Sequence, residues 1–520
     1  MRGVRVISLF WCSCGCLKIT CEAFQPKGLS AIGSTVHESQ QGQRRGPKKQ
    51  SIGRVFGFRS TTPSVSTTPI TMAKDSSSSR RNDLFKVRTI TAFITLENSD
   101  FDGAAETLKS KLRDTAGALH AVREQLEAGD GGGNGYEVQT VRIATNPFPE
   151  YLLGSNSDSG GVVEERLKLL DDCLEEHGIV FVSLGPASCP ETLKVCTKIV
   201  GLPSGRFSCS VQLPANDAGL ARASAETVLD NSKLGNPEDG GLANFRFCVA
   251  NLGPYVPFFP AAKAASKTDE AFCIRFAIGL ENGALVKDLL ARDAGKTLAK
   301  VLPPKNQDGE SSGGGSSFAA GMAEVVRPLQ SICERVVAGK NQEQGFSSPQ
   351  LEYLGLDASF NPSLDEEGSV ASAVEVLNEV PKGFGGAGTI AATAAMTTAI
   401  QTRLSSSGEE FGIKLTGYNG LMLPLCEDRR LAQLATEGKI DISDLLNVSS
   451  VCGVGIDTVP VPGDADAEEL TALLLDVAGL AERWNKPLSC RVFPVPNRKV
   501  GDMTTFDSPF LVNSKILPLS

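Results

Sequence analysis

Apolar, β-branched runs of strand length recur through the body of the chain and alternate with longer amphipathic stretches. This alternation is typical of an α/β domain, because a sheet and the helices that cover it each bury one apolar face. It predicts ten strands, at residues 86–96, 136–144, 179–184, 205–212, 244–251, 272–280, 351–358, 411–417, 447–453 and 488–494. Helical patterns fill residues 102–127, 161–177, 218–232, 319–338, 386–404, 428–437 and 467–485.

Three inserts of low complexity interrupt this pattern, at residues 129–135, 155–161 and 305–317. They are dominated by Gly, Ser and polar residues. Segments of this composition cannot bury enough apolar surface to offset their conformational entropy. We therefore interpret them as solvent loops within one domain that spans residues 83–520.

The charge of the chain changes sign near residue 82. Residues 1–82 carry thirteen Lys and Arg against three acidic side chains, a balance of +10. The rest of the chain holds 38 basic and 57 acidic side chains, a net charge near −19. Binding to phosphate backbones depends on clustered Lys and Arg, so nucleic acid and anionic membrane surfaces are not expected partners of residues 83–520.

The basic segment has the features of a two-part targeting sequence. Residues 1–23 contain Arg2 and Arg5, an apolar run too short to span a bilayer, and small residues at the predicted cleavage site, as in a secretory signal peptide. Residues 24–82 are rich in Ser, Thr, Lys and Arg and nearly free of acids, as in a transit peptide. The combination resembles the plastid presequence of algae with secondary plastids.

The alternative is a plain secreted protein. Its support is weak, because the ten cysteines outside the signal segment lack the spacing of a disulfide framework. No later run reaches eighteen apolar residues, so no membrane span is expected after processing. The composition leaves a homo-oligomer open.

Histidine limits the chemistry that the domain can perform. Only His120 and His177 lie beyond residue 82, both in charged helical patterns. A histidine-based zinc site or a Ser-His-Asp triad needs histidines in positions that this chain does not offer. No Cys-x-x-Cys pair replaces them beyond residue 82.

A glycine-rich segment at residues 381–389 opens a predicted helix. Gly385, Gly386 and Gly388 would let the backbone approach a ligand, and the free N–H groups at a helix start, with Thr389, attract a carboxylate or phosphate. The spacing matches neither a phosphate-binding loop nor a dinucleotide fingerprint. Tight packing of the helix explains the same glycines equally well.

Two further segments concentrate candidate side chains. Residues 417–428 contain Asn419 in a turn and end in a pair of carboxylates, Glu427 and Asp428, which could bind a ligand or stabilise a helix start. Residues 449–464 run from a predicted strand into Cys452 and then to Asp457 and Asp464. A thiol at a strand end acts as a nucleophile or acid–base group only if its pKa is lowered, and in apolar surroundings it is usually inert.

Seven motifs together resemble one known family. The resemblance covers residues 84–520 and rests on the motifs that begin at Asn146, Asn244, Pro257, Phe384, Gly420, Val451 and Asn485. They are similar to motifs of the bacterial and archaeal family of unknown function called PFL-like, after pyruvate formate-lyase. The resemblance implies a ten-stranded α/β barrel like that of the glycyl radical enzymes.

The chemistry of those enzymes is not implied. Their radical glycine lies in an Arg-Val-x-Gly motif near the C-terminus, whereas Arg491 and Val492 are followed here by Phe493 and Pro494. Proline replaces the critical glycine, so no glycyl radical is expected.

These observations lead to the hypothesis of a non-radical enzyme that acts on a small anionic metabolite inside the barrel. The candidate catalytic residues are Cys452, Asp457 and Asp464, which should converge at one end of the barrel with the ligand-binding residues. Mg²⁺ or Ca²⁺ could bind Asp428, Asp457 and Asp464, since hard cations prefer carboxylates. The alternative is a metabolite-binding or regulatory protein without chemistry. The candidate ligand-binding residues are Gly385, Gly386, Gly388, Thr389, Arg246, Asn419 and Lys414.

Overall fold

The computed structural model describes most of the chain after residue 80. The described residues are 81–129, 135–154, 160–235, 241–251, 253, 255–266, 271–304, 316–343, 349–405 and 411–519. Residues 1–80, which hold nearly all of the two predicted presequence segments, and the centres of the three predicted inserts lie outside them.

A mixed sheet of nine strands forms the centre of the fold, in the order β7-β6-β1-β2-β3-β4-β5-β9-β8. The first five strands are parallel to one another. β6 and β9 pair antiparallel with β1 and β5, and each has a parallel partner of its own, β7 and β8. The strands are β1 Lys86–Ile94, β2 Val141–Thr145, β3 Phe181–Ala187, β4 Phe207–Gln212, β5 Phe247–Asn251, β6 Cys273–Glu281, β7 Gln350–Asp357, β8 Gly455–Pro462 and β9 Leu488–Val495.

Twelve α-helices lie in the described residues, and a π-helical turn, Ile400–Leu404, extends one of them. None of these helices is both long enough and apolar enough to cross a bilayer. The helices are α1 Glu106–Ala128, α2 Gly160–Glu176, α3 Pro190–Val200, α4 Ala218–Asn231, α5 Gly283–Ala291, α6 Leu298–Val301, α7 Ser317–Glu343, α8 Val370–Val374, α9 Thr389–Ala399, α10 Arg429–Thr436, α11 Ile442–Cys452 and α12 Ala467–Trp484.

The mixed α/β class is confirmed, whereas the predicted count of ten strands is wrong. Eight predicted strands coincide with β1 to β7 and β9. The run at 447–453 is the end of helix α11, and residues 411–417 make only isolated bridges. Strand β8 was not predicted.

The two faces of the sheet differ in character because side chains alternate along each strand. One face carries large apolar residues, such as Ile90, Ile143 and Val182, which belong to the main hydrophobic core. The other carries small or polar residues, among them Thr91 and Ser183, which are buried as well. We call this second side of the sheet the inner face.

A segment at residues 255–264, here called the inner loop, packs on the inner face. Thr91 Oγ1 donates a hydrogen bond to the backbone oxygen of Pro257 at 2.8 Å, and Ser183 Oγ donates to that of Pro260 at 3.1 Å. Gly279 in β6 leaves room for the ring of Phe258, since a Cβ at this position would lie 2.7 Å from it. The absence of a side chain on β6 therefore lets the inner loop approach the sheet.

Residues 413–425 bond to both outermost strands of the sheet. Near β7, the Leu356 and Phe360 N–H groups donate to backbone oxygens of this segment, each at 2.9 Å. Near β8, the N–H of Leu425 donates to the Asp457 oxygen at 2.9 Å. We call residues 413–425 the bridging segment.

Candidate functional site

A cavity of about 820 Å³ lies on the inner face of the sheet, beside the tip of the inner loop. Its walls include the first residue of β3, the second residue of β4 and the last residue of β6. This volume is in the range of small-molecule sites. Among its charged side chains are Arg88, Arg142, Arg246, Arg491, Glu281, Glu427 and Asp457.

Five of these side chains form a continuous row of alternating charge. Arg88 lies 2.6 Å from Glu281 and 3.5 Å from Glu427. Arg491 lies 2.9 Å from Glu427 and 2.6 Å from Asp457. Glu427 is therefore shared between two arginines at the centre of the row. We call these five residues the charged row.

The charged row is largely desolvated, and its pKa values reflect this. Burial raises the pKa of Glu427, and the nearby Asp457 adds to the rise, while Arg491 and Arg88 oppose it. Burial would lower the pKa of Arg491, but the carboxylates of Asp457 and Glu427 outweigh burial and raise it. Arg491 therefore stays charged. Burial makes the carboxyl group of Glu427 easier to protonate.

Two other arginines of the cavity have no acidic partner among the described residues. The Arg142 guanidinium lies between the rings of Phe181 and Phe259, 5.3 Å and 5.1 Å from their centres, and its Nε donates to Thr140 Oγ1 at 2.9 Å. Burial lowers the pKa of Arg142 to about 9, so the side chain is still protonated near neutral pH. Among the described residues, the buried Nη1 atom of Arg246 has no hydrogen-bond partner.

An unpaired buried cation is unfavourable unless something supplies the missing charge. Arg142 and Arg246 are therefore positioned to bind an anion. With the charged row they bring four arginines and three carboxyl groups to the cavity, in a chain of net charge −9.

The sequence-predicted residues Arg246 and Asp457 both line this cavity. The other predicted site residues are not among its lining residues. Lys414 and Asp464 are exposed, and Lys414 Nζ donates to the backbone oxygen of Tyr353.

Cys452 is the last residue of α11 and has almost no exposed surface. Its thiol donates to the backbone oxygen of Leu421 at 3.4 Å, and burial raises its pKa despite the opposing charge of Lys486. Both properties keep the group in the thiol form. The geometry therefore does not support the predicted nucleophile.

The glycine-rich loop has its backbone groups bonded within the protein. The N–H of Gly385 donates to Thr389 Oγ1 at 3.1 Å, and that of Gly386 donates to a backbone oxygen three residues earlier. Gly388 has φ of +97°, and a Cβ there would lie 1.8 Å from the oxygen of Glu379. The glycines thus serve close packing, the second of the two explanations that the sequence left open.

The glycine-rich loop and Cys452, which were predicted to share one mouth, lie near opposite ends of α11. Gly385 lies against Ile440, just before α11, whereas Cys452 ends that helix. A helix rises about 1.5 Å per residue, so the eleven residues of α11 separate the two sites by about 15 Å. A single carboxylate or phosphate group bound at the glycine-rich loop would not also contact Cys452.

Asn419 and Asp428 have structural partners instead of a ligand. Asn419 Oδ1 accepts from the N–H of Ala358, and its amide donates to Thr416. Asp428 is buried and accepts from backbone N–H groups at the starts of both α8 and α10. It therefore caps two helices.

The three carboxylates proposed to bind Mg²⁺ or Ca²⁺ therefore have different surroundings and different partners. Asp428 caps helices, Asp457 pairs with Arg491, and Asp464 is exposed. Within the described ranges, no three His, Cys, Asp or Glu side chains cluster in a way that would suit a metal ion.

Sequence reasoning missed most of the cavity because its residues come from distant segments. One local pattern does point to it: alternate positions of otherwise apolar strands carry Thr89 and Thr91 in β1, Arg142 in β2, and Ser208 and Ser210 in β4. A shift of register between Val87 and Thr89 marks a bulge beside Arg88, and such bulges often turn a side chain toward a site.

The fold and the cavity define a mixed α/β protein with an arginine-lined pocket of ligand size. The family model described as uncharacterised ACR (DUF711) matches residues 79–508, so the chain belongs to this family. A UPF0210 protein of Pyrobaculum arsenaticum is 33% identical over 380 residues, covering 71% of this chain and 76% of the relative. A UPF0210 protein of Oenococcus oeni is 25% identical over 458 residues, covering 84% and 91%. Relatives in archaea and bacteria agree with the distribution expected from the motifs.

Proposed function

We propose that this protein is an enzyme that acts on a small anionic metabolite bound in the inner-face cavity, without a glycyl radical. The observation that carries the proposal is the pair of unpaired guanidinium groups, Arg142 and Arg246, in the same cavity as the buried carboxyl group of Glu427. Arginine binds carboxylate and phosphate groups through two parallel hydrogen bonds, which fixes their orientation.

In this proposal Glu427 transfers a proton to or from the bound metabolite. Its pKa is raised by burial, toward the range in which a carboxyl group exchanges protons efficiently. Arg88 and Arg491 position the Glu427 carboxyl group from both sides. Asp457 acts through Arg491 and is a positioning residue.

The test begins with identifying the small acid that the purified full chain retains, by denaturing the protein and analysing the supernatant by mass spectrometry. We expect an anionic metabolite that Arg142→Gln fails to retain. Incubation of that metabolite with the protein should convert it, and Glu427→Gln should bind it without conversion. An empty cavity that binds none of a panel of carboxylates and phosphates would overturn the proposal.

The alternative is a metabolite-binding protein that performs no reaction. It is favoured by the ion pairs of Glu281, Glu427 and Asp457, each of which already contacts an arginine. Binding of the retained metabolite with no conversion, and with equal affinity in Glu427→Gln, would support this alternative.

We also propose that the sheet closes into a barrel related to that of the PFL-like proteins, with the bridging segment in the place of a tenth strand. The proposal is supported by the hydrogen bonds of this segment to both β7 and β8. In such a barrel the inner loop and the cavity would occupy the interior.

The presequence remains a separate proposal, plastid import through a signal peptide followed by a transit peptide. Residues 1–82 fused to a fluorescent reporter should direct it to the plastid of a suitable alga. Release of the reporter into the medium would favour secretion.

A further inference from the structure

The two unpaired arginines lie on different strands of the parallel part of the sheet. Arg142 is in β2, and Arg246 directly precedes β5. In the strand order, β3 and β4 lie between them. Three steps of about 4.8 Å place the two backbones about 14 Å apart along the sheet.

The side chains of Arg142 and Arg246 therefore enter the cavity from positions three strands apart. A carboxylate or phosphate binds one guanidinium through two parallel hydrogen bonds. Arg142 cannot swing freely toward the other site, because two aromatic rings and Thr140 hold it in place. Two anionic groups, one for each guanidinium, fit this arrangement.

No described side chain supplies the charge that Arg246 lacks. The group whose charge would raise the pKa of Arg246 is the thiol of Cys209, but burial raises the pKa of this thiol well above its ordinary value. Cys209 is thus neutral at physiological pH. The buried Nη1 atom of Arg246 remains without a hydrogen-bond partner.

Aromatic and small side chains line the cavity beside the two intervening strands, together with Arg206, whose charge is paired with Asp171 at 2.6 Å. Phe181 and Ser208 come from the two intervening strands, and Phe258 and Phe259 come from the inner loop. Such a wall favours an apolar or planar spacer over further charges.

We propose that the ligand of this cavity carries two anionic groups at the ends of an apolar spacer, one bound by Arg142 and the other by Arg246. This inference rests on the proposed function and narrows its substrate class to elongated dianions, such as long dicarboxylic acids or phosphorylated acids.

The experiment uses the full chain and a series of straight-chain α,ω-dicarboxylates from succinate to sebacate, with the matching monocarboxylates as references. Affinity is measured by isothermal titration calorimetry. We expect the affinity of the dicarboxylates to pass through an optimum at an intermediate or long chain, where both arginines are reached. The best dicarboxylate should exceed its monocarboxylate about tenfold or more, as expected for a second charge-assisted pair.

Each of the variants Arg142→Gln and Arg246→Gln should lower the affinity for the best dicarboxylate to that for the matching monocarboxylate. The double variant should bind this dicarboxylate only slightly more weakly than either single variant. Arg222→Gln is the matched control, because Arg222 is exposed on α4 and pairs with Glu226 at 2.9 Å. It should bind as the unmodified chain does. The chain-length profile of the unmodified protein tests the inference even if a variant fails to fold.

Binding of monocarboxylates that depends on Arg142 but is unaffected by chain length or by Arg246→Gln would overturn the two-anion inference and leave the proposed function standing. Absence of binding by every member of both series and by the phosphate panel would overturn both.

Discussion

At the scale of single residues, burial decides which acids hold the fold and which serve the cavity. Glu427 and Asp428 are neighbours in sequence, and burial raises the pKa of both. Glu427 faces two arginines in the cavity, whereas Asp428 accepts hydrogen bonds from two helix starts. Adjacent carboxylates thus have separate roles because successive side chains point in different directions.

Asp428→Ala should destabilise the protein by about 2–4 kcal/mol, because it removes the N-cap of α10 and leaves two N–H groups at the start of α8 without their acceptor. Asp441→Ala is the matched control. Asp441 caps only α11 and is exposed, so its loss should cost about 1 kcal/mol. Urea unfolding measures both, and equal losses would contradict the double-cap interpretation.

Anion binding should weaken as pH rises through the pKa of Glu427, which burial places above the ordinary value of 4.5. Losing this proton adds a negative charge to the cavity. The free energy of unfolding changes in the same direction. Because the pKa of Glu427 is higher in the folded protein than in the unfolded chain, the stability that this group contributes is complete below pH 4.5. It is lost as the pH rises through the folded-state pKa.

Calorimetric titration with sulfate, whose charge is constant from about pH 5 to about pH 8, measures the effect on binding. Glu427→Gln should flatten the dependence. An equally steep dependence in Glu427→Gln would assign the titration to another group.

At the scale of elements, the position of the inner loop depends on β6. Gly279→Ala would place a Cβ 2.7 Å from the ring of Phe258, so the ring must move. We expect a loss of about 1–3 kcal/mol from overpacking, together with weaker sulfate binding, because Phe258 lines the cavity.

Gly117→Ala provides the control. Gly117 lies in α1 with no neighbour within 4 Å of a Cβ, and alanine should stabilise the helix by about 0.5–1 kcal/mol. Thermal unfolding and sulfate titration of both variants make the comparison. If Gly279→Ala leaves the sulfate affinity unchanged, the inner loop does not contribute to ligand binding.

At the scale of the whole molecule, the bridging segment decides whether the sheet is closed. If it acts as a strand, the N–H groups of Leu356, Phe360, Met422 and Leu425 should exchange with solvent only in the slow, cooperative openings that also expose β8. Hydrogen exchange followed by mass spectrometry measures this, with the exposed region around Asp464 as a fast-exchanging reference. Fast exchange of these amides while β8 stays protected would mean an open sheet.

Much of the element pattern could be predicted because apolar periodicity is local. Long amphipathic helices such as α1, α2 and α12 agree with the prediction within a few residues. The failure at 447–453 has a physical cause, since short apolar runs have no period that separates strand from helix. Strand β8 was missed because Pro460 and Pro462 disfavour a central strand, yet β8 lies at the end of the strand order, where proline is tolerated.

The sequence by itself determined the mixed α/β class, the membership of an uncharacterised family found in bacteria and archaea, and the lack of histidine for a zinc site or a triad, because these follow from local patterns and residue types. It also suggested Arg246 and Asp457 as site residues, and both line the cavity. Only the tertiary structure decided what their partners are. Arg88 pairs with Glu427 across 339 positions of the chain and with Glu281 across 193. Such pairs are set by strand order and register, which bring distant residues together, and the same packing buried Cys452 and filled the glycine-rich loop with internal hydrogen bonds.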